Sequence, residues 1–244
     1  MIQILFRSLF VPKSFLAWAP SAYRMIYVLS ICVIAYALNA GLRVPPDITQ
    51  GELFRIIYVH VPVAFFSLSL YVAMVLFVIL ERLLHLKMAD VFALSSAFVG
   101  ALMTVLALIT GSIWAKPTWG TWWVWDARIT SEVILLCLYS AYLVSRLGIK
   151  PRSTAIEIAS WIAILGLLDL PLIHYSVQWW YTLHQGPTVL QFAAPKMPWL
   201  MLFPLIISIV GFALIIVAMM FHTAVALLAI HRARLHQAQC SHLG

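Results

Sequence analysis

Six apolar stretches dominate this chain and dictate the solvent in which it folds. Residues 25–42, 91–115 and 197–221 hold no charged side chain. The stretch 56–80 is interrupted only by His60 and Pro62, 129–145 carries only Glu132, and 158–173 only Asp169. A membrane-crossing helix needs about 20 mostly apolar residues. Hydrocarbon offers no partners to backbone N–H and C=O groups, so each crossing must satisfy its own in a helix. The chain is 64% hydrophobic and 9% charged over 244 residues, whereas soluble domains carry roughly 25% charged residues. The expected fold is an all-α membrane protein: a six-transmembrane-helix bundle forming one integral membrane domain over 1–244. Its spans lie at about 25–42, 59–80, 91–112, 129–146, 155–173 and 199–221, with short connections.

Six spans put both termini on one side. That side collects Arg7, Lys13, Arg24, Arg82, Lys87, Arg146, Lys150, Arg152, Arg232 and Arg234. The other has Arg43, Arg55, Lys116, Arg128 and Lys196. Cytoplasmic loops are enriched in Lys and Arg, which predicts cytoplasmic N and C termini. The net charge of +7 then belongs to those loops and implies no nucleic-acid partner. Leu38 stands where a signal-peptide cleavage site before Ala40 needs a small residue, so the first span reads as an uncleaved helix.

Eight of the ten Trp residues fall at the outer side: Trp114, Trp119, Trp122, Trp123, Trp125, Trp179, Trp180 and Trp199. An aromatic belt that merely anchors a protein occupies both interfaces; this distribution is one-sided. The densest part is the outer segment 114–128. Pro117 suits the first turn of a short interfacial helix, on which Trp119, Trp122, Trp123 and Asp126 share a face. Such a face is a flat apolar platform edged by indole N–H donors, suited to a large planar ligand. Asp126 is placed to orient an indole, a backbone group or a partner.

His60, His174 and His184 also face outward. His60 stands at the outer end of the second span beside Pro62. His184 sits in a compact turn after Trp179 and Trp180. Two imidazoles from different loops, flanking an aromatic platform, supply what axial ligation of a porphyrin iron requires. Arg55 and Arg128 are placed either to clamp carboxylates or simply to mark helix ends. Glu132, four residues after Arg128, reads as its interface ion-pair partner. Asp169 reads as a partner for backbone freed by Pro171. Pro171, Pro187 and Pro195 argue for a shaped last outer loop. Cys32, Cys137 and Cys240 form no C-x-x-C, which leaves thiol relay and covalent haem attachment unsupported.

The run 119–132, W-G-T-W-W-V-W-D-A-R-I-T-S-E, resembles the signature of the WWD family of haem-handling membrane proteins. R-I-I-Y-V-H-V-P at 55–62 and H-Y-S-V-Q-W-W-Y-T-L-H-Q-G at 174–186 are similar to the segments bearing that family's haem histidines. The resemblance implies His60 and His184 as axial ligands of a non-covalently bound haem b. It implies a haem surface of Trp119, Trp122, Trp123, Trp125 and Asp126; Trp114 is a further cofactor-binding candidate by position, and Arg55 and Arg128 are candidates for the propionates by charge. His174, Trp179 and Trp180 are secondary candidates. It further implies a bacterial inner-membrane protein whose haem site faces the periplasm, delivering haem to the chaperone CcmE beside CcmA, CcmB and CcmD. The chain has no G-x-x-x-x-G-K-[ST] run and is not the ATPase of such a complex. No turnover chemistry of its own is implied. Two other classes remain open. A bis-histidine electron-transfer cytochrome subunit buries its histidines within spans. A permease subunit shows broken helices near the midplane.

Overall fold

The computed structural model describes residues 11–180, 182, 184 and 197–241, with no side-chain description at 234–236 and 238–241. Those residues form seven α-helices: α1 (Pro12–Leu42), α2 (Ile57–Leu84), α3 (Lys87–Trp119), α4 (Ala127–Gly148), α5 (Arg152–Gly166), α6 (Asp169–Trp179) and α7 (Trp199–Ser241). A 3-10 turn, Glu52–Ile56, leads into α2. Six segments are long and apolar enough to cross a membrane, with α5 and α6 together making the fifth. The chain is a multi-pass membrane protein. The expected positions at Pro187, Pro195 and Lys196 lie outside the described residues.

The first span is longer than its charge-free stretch. α1 begins at Pro12, whose fixed φ and missing N–H suit a first helical position. Phe15 and Ala19 are fully buried there. Phe15 meets Phe92 of α3 and Phe221 of α7 edge to face, at 5.6 Å each. α1 packs mainly on α7, and α2 on α3. α3 contacts α2, α4 and α7 and is the most buried span.

The Trp-rich segment is not the interfacial helix its spacing suggests. α3 runs on through Pro117 to Trp119 and ends at Gly120, whose φ of 80° is left-handed. Glycine adopts that conformation without a Cβ clash, the usual way a helix is closed. Asp126 then caps α4, its Oδ1 accepting the Ile129 amide at 2.8 Å. Between these two signals only residues 121–125 remain, too few for a helix. Trp122, Trp123 and Trp125 therefore lie on a non-helical loop, and they share no helix face with Trp119 and Asp126.

The fifth span is also not uniform. α5 stops at Gly166 and α6 starts at Asp169. Pro171 falls in the first turn of α6, where N–H groups have no helical partner anyway. It frees no carbonyl for Asp169 to serve. Asp169 is 6% exposed, and its buried Oδ2 has no hydrogen-bond partner. Pro62 does cost α2 a bond, since the Tyr58 carbonyl four residues back loses its donor. The Ser208 hydroxyl of α7 donates to that carbonyl instead.

Away from the Trp loop, Arg146 at the end of α4 pairs with Asp90 near the start of α3. Arg152 reaches the other oxygen of Asp90 at 2.9 Å. The Arg146 side chain is 4% exposed. Removing Asp90 strands a buried guanidinium, which typically costs about 3–5 kcal/mol, whereas an apolar replacement of the pair is tolerated. Asp90→Ala is expected to lower the unfolding midpoint in detergent, and the double variant Asp90→Ala, Arg146→Leu to recover most of that loss. Equal midpoints for Asp90→Ala and the unsubstituted protein would show that the pair carries no load.

Candidate functional site

Three segments meet at the end of α3. The loop after α1 is ordered by Asp47, whose Oδ1 accepts the amides of Thr49 and Gln50, each at 2.9 Å, and the Thr49 hydroxyl at 2.6 Å. The Thr49 hydroxyl above all holds the Asp47 carboxyl below its ordinary range. This turn presents Gln50, whose Oε1 accepts the indole N–H of Trp114 at 3.0 Å. Trp114 in turn stands edge to face with His60, at 5.6 Å between ring centres. The third loop arrives through His184, whose ring meets Trp119 edge to face at 4.8 Å.

His60 is the fourth residue of α2, in its first turn. Its Nδ1 is 2.9 Å from Thr110 Oγ1. Thr110 has one hydroxyl hydrogen, which it gives to the Leu106 carbonyl at 2.7 Å. The threonine oxygen then faces Nδ1 as an acceptor, the arrangement in which Nδ1 of His60 carries the ring hydrogen and Nε2 keeps its lone pair. Gly111 makes room for this ring: a Cβ there would stand 3.2 Å from the His60 Cε1.

His184 reaches the same state by another route. Its Nδ1 lies 3.1 Å from Asp126 Oδ2. A carboxylate accepts only, so Nδ1 donates and Nε2 is again the free nitrogen. Burial holds the His184 imidazole below its ordinary pKa against the opposing pull of Asp126, and the nearby Arg128 charge adds to the depression. The ring is neutral at pH 7, the form that binds metals. Arg128 and His184 both act electrostatically on His60, which places the three groups in one neighbourhood. Trp119 lies five residues beyond Trp114 on α3, about 7 Å further along the axis. His60 on Trp114 and His184 on Trp119 are thus held against neighbouring turns of α3.

The other expected residues divide. Trp114, Trp119, Asp126 and Arg128 belong to this neighbourhood. Among the described residues the Arg128 guanidinium makes one hydrogen bond, a long one of 3.5 Å to the Ile173 carbonyl. Trp123 turns inward, with its buried indole N–H unpartnered, and packs against Trp125 at 5.3 Å. Trp122 and Trp125 are 56% and 71% exposed. Arg55 is occupied elsewhere, with Nε 2.5 Å from Glu52 and Nη1 2.6 Å from the Gly41 carbonyl. Tyr175 separates His174 from Trp179 and stacks on the latter at 5.3 Å. Trp180 packs on Trp179. No contact among the described residues joins His174, Trp179 or Trp180 to His60 or His184.

The expected Arg128–Glu132 ion pair is absent from the described residues. Glu132 turns into the bundle, its Oε1 2.9 Å from Ser67 Oγ on α2. A turn of helix separates the two side chains, and α2 offers the closer polar partner. Sequence reasoning did not single out Gln50, Ser67, Thr110 or Gly111. The P-D-I-T-Q run at 46–50 and the T-G pair at 110–111, polar or small in apolar surroundings, were the available signals.

Comparison with known proteins agrees with this architecture. The family model described as Heme exporter protein C, CcmC, matches residues 5–239. The chain is 40% identical over 185 residues to a Heme exporter protein C of Haemophilus influenzae, covering 75% of each chain. It is 46% identical over 147 residues to that of Escherichia coli strain K12, covering 60% of each, so this match spans under two thirds of that relative. A putative cytochrome c biosynthesis ccmC-like mitochondrial protein of Marchantia polymorpha is 43% identical over 148 residues, 61% of this chain and 62% of the relative. With the family model covering nearly the whole chain, the protein belongs to the Heme exporter protein C family.

Proposed function

We propose that the chain handles haem in cytochrome c maturation, holding it as cargo at the outer face of the bacterial inner membrane and presenting it to the chaperone CcmE. The observation that carries this reading is the pair His60 and His184. Each has Nδ1 occupied by an acceptor and Nε2 left with a lone pair. Among the described residues no group of three or more His, Cys, Asp or Glu could hold a bare metal ion. Two neutral imidazoles instead suit an iron whose remaining positions a macrocycle fills. A partner on the second nitrogen fixes ring orientation and raises ligand basicity, the role that Thr110 and Asp126 play here. Trp114 and Trp119 wall the two histidines, and Arg128 supplies the cation for a propionate. Trp122 and Trp125 are the exposed edge offered to CcmE, and CcmA, CcmB and CcmD complete the complex. The cargo is haem b held non-covalently, and the chain acts as a carrier rather than an enzyme. Both termini face the cytoplasm, consistent with the Lys and Arg bias.

Three outcomes follow. Purified His60→Ala and His184→Ala are each expected to lose most of the visible haem absorption; haem content equal to that of the unsubstituted protein would sink the axial-ligand assignment. Asp126→Asn separates two roles of one side chain. Asn caps a helix about as well as Asp, but its single oxygen cannot serve both Ile129 and His184. The variant is expected to melt like the parent yet bind haem about 10–100-fold more weakly, as read by haem titration. Trp122→Leu with Trp125→Leu should keep haem content and slow transfer to CcmE. Undiminished transfer would make the two rings membrane anchors only.

A further inference from the structure

Gln50 is the residue of the loop after α1 that is hydrogen-bonded to Trp114, and the reading above gives it no task. Its backbone is held on both sides. The Asp47 amide donates to the Gly51 carbonyl at 3.1 Å, and the Gly51 amide donates back to the Asp47 carbonyl at 2.9 Å, which closes a tight turn. Gly51 suits that closure because its φ of 58° carries no Cβ penalty. Inside the turn the Gln50 amide donates to Asp47 Oδ1. The Gln50 carbonyl accepts the Leu53 amide at 3.2 Å, where the chain enters the 3-10 turn before α2.

The direction of the side-chain bond is fixed by chemistry. An indole nitrogen only donates, so Gln50 presents its carboxamide oxygen to Trp114, at 3.0 Å. Trp114 also packs against the buried cluster of Val44, Phe54, Ile57 and Tyr58. The torsion that turns an aromatic ring about its stem is broad and roughly two-fold, so packing alone tolerates more than one placement of the indole. A bond at Nε1 selects one. In that placement Trp114 stands edge to face with His60, at 5.6 Å and 79° between planes. Thr110, one turn earlier on α3, holds Nδ1 of the same imidazole. A single hydrogen bond lets a ring rock about it, and Trp114 is the wall that limits the rocking.

We propose that Gln50 is a positioning residue of the site: by fixing the Trp114 indole it sets the pitch of the His60 imidazole toward its ligand. Its effect passes through Trp114. The inference rests on the carrier reading in taking His60 Nε2 as an iron ligand.

The experiment uses detergent-purified full-length protein carrying Gln50→Leu, which removes the acceptor at similar volume, Trp114→Phe, which removes the donor, or both. Without haem, proton–nitrogen NMR of protein labelled at the indole nitrogens reads the bond itself. Trp114→Phe identifies the Trp114 signal, and Gln50→Leu should speed its exchange with deuterium. With haem, Gln50→Leu should weaken binding about fivefold in a haem titration, the worth of one neutral hydrogen bond. Its ferric visible spectrum should gain a high-spin component as His60 loosens. In the Trp114→Phe background the same change should add nothing, because coupled residues are not additive. An unchanged indole exchange rate, an affinity and spectrum equal to the parent's, or a Gln50→Leu loss that adds in full to that of Trp114→Phe would each overturn the proposal. Should Gln50→Leu fail to fold, Gln50→Asn, whose oxygen falls one methylene short, takes its place under the same outcomes. Failure of the carrier reading looks different: His60→Ala keeps its haem, while exchange of the Trp114 indole still answers to Gln50.

Discussion

Asp126 ties the site together because its two oxygens have different obligations. Oδ1 caps α4 through the Ile129 amide, and Oδ2 fixes His184. The cap sets where α4 starts, and so keeps the Trp loop at residues 121–125. The second bond orients His184, which packs on Trp119 at the end of α3. One carboxylate thus couples the boundary of a helix to the direction of an imidazole 58 residues away. It is worth more there than on a wet surface, because charge-assisted bonds strengthen as water is excluded.

The same economy of partners runs through the apolar interior. A polar group stranded in hydrocarbon costs several kcal/mol, so each needs a partner within the protein. Pro62 opens a gap in the ladder of α2 and Ser208 of α7 fills it. Ser67 serves Ala64 and Glu132 with its hydroxyl and Tyr139 with its carbonyl. Thr110 links its own helix to His60. These bonds cross between helices, so they fix relative positions that apolar packing alone would leave adjustable. Asp169 at the break between α5 and α6 and Ser96 within α3 are exceptions, each with a buried oxygen left unpartnered among the described residues.

The two ends of the bundle are built differently. Away from the site, Phe15, Trp18, Phe92 and Phe221 interlock edge to face, and Asp90 gathers Arg146 and Arg152. Toward the site, Trp114 and Trp119 meet imidazoles, and large indoles stay exposed at Trp122 and Trp125.

The sequence by itself determined the solvent, the six crossings, the side that collects tryptophan, and the histidines at that side. Apolar length and residue placement are local properties, and the bilayer reads them one segment at a time. It misjudged the helix that Pro117 was expected to open, because α3 runs on through Pro117 to its stop at Gly120, and Asp126 starts α4 six residues later. It also gave Glu132 to Arg128, its neighbour along the chain. Only the tertiary structure decided which nitrogen of each histidine is free, that Arg55 is spent on Glu52 and Gly41, and that Glu132 turns to Ser67. Those choices depend on partners 50, 58 and 65 residues away. A hydrogen bond is made by whichever donor and acceptor the packed helices bring within about 3 Å, and no spacing along one helix reveals that.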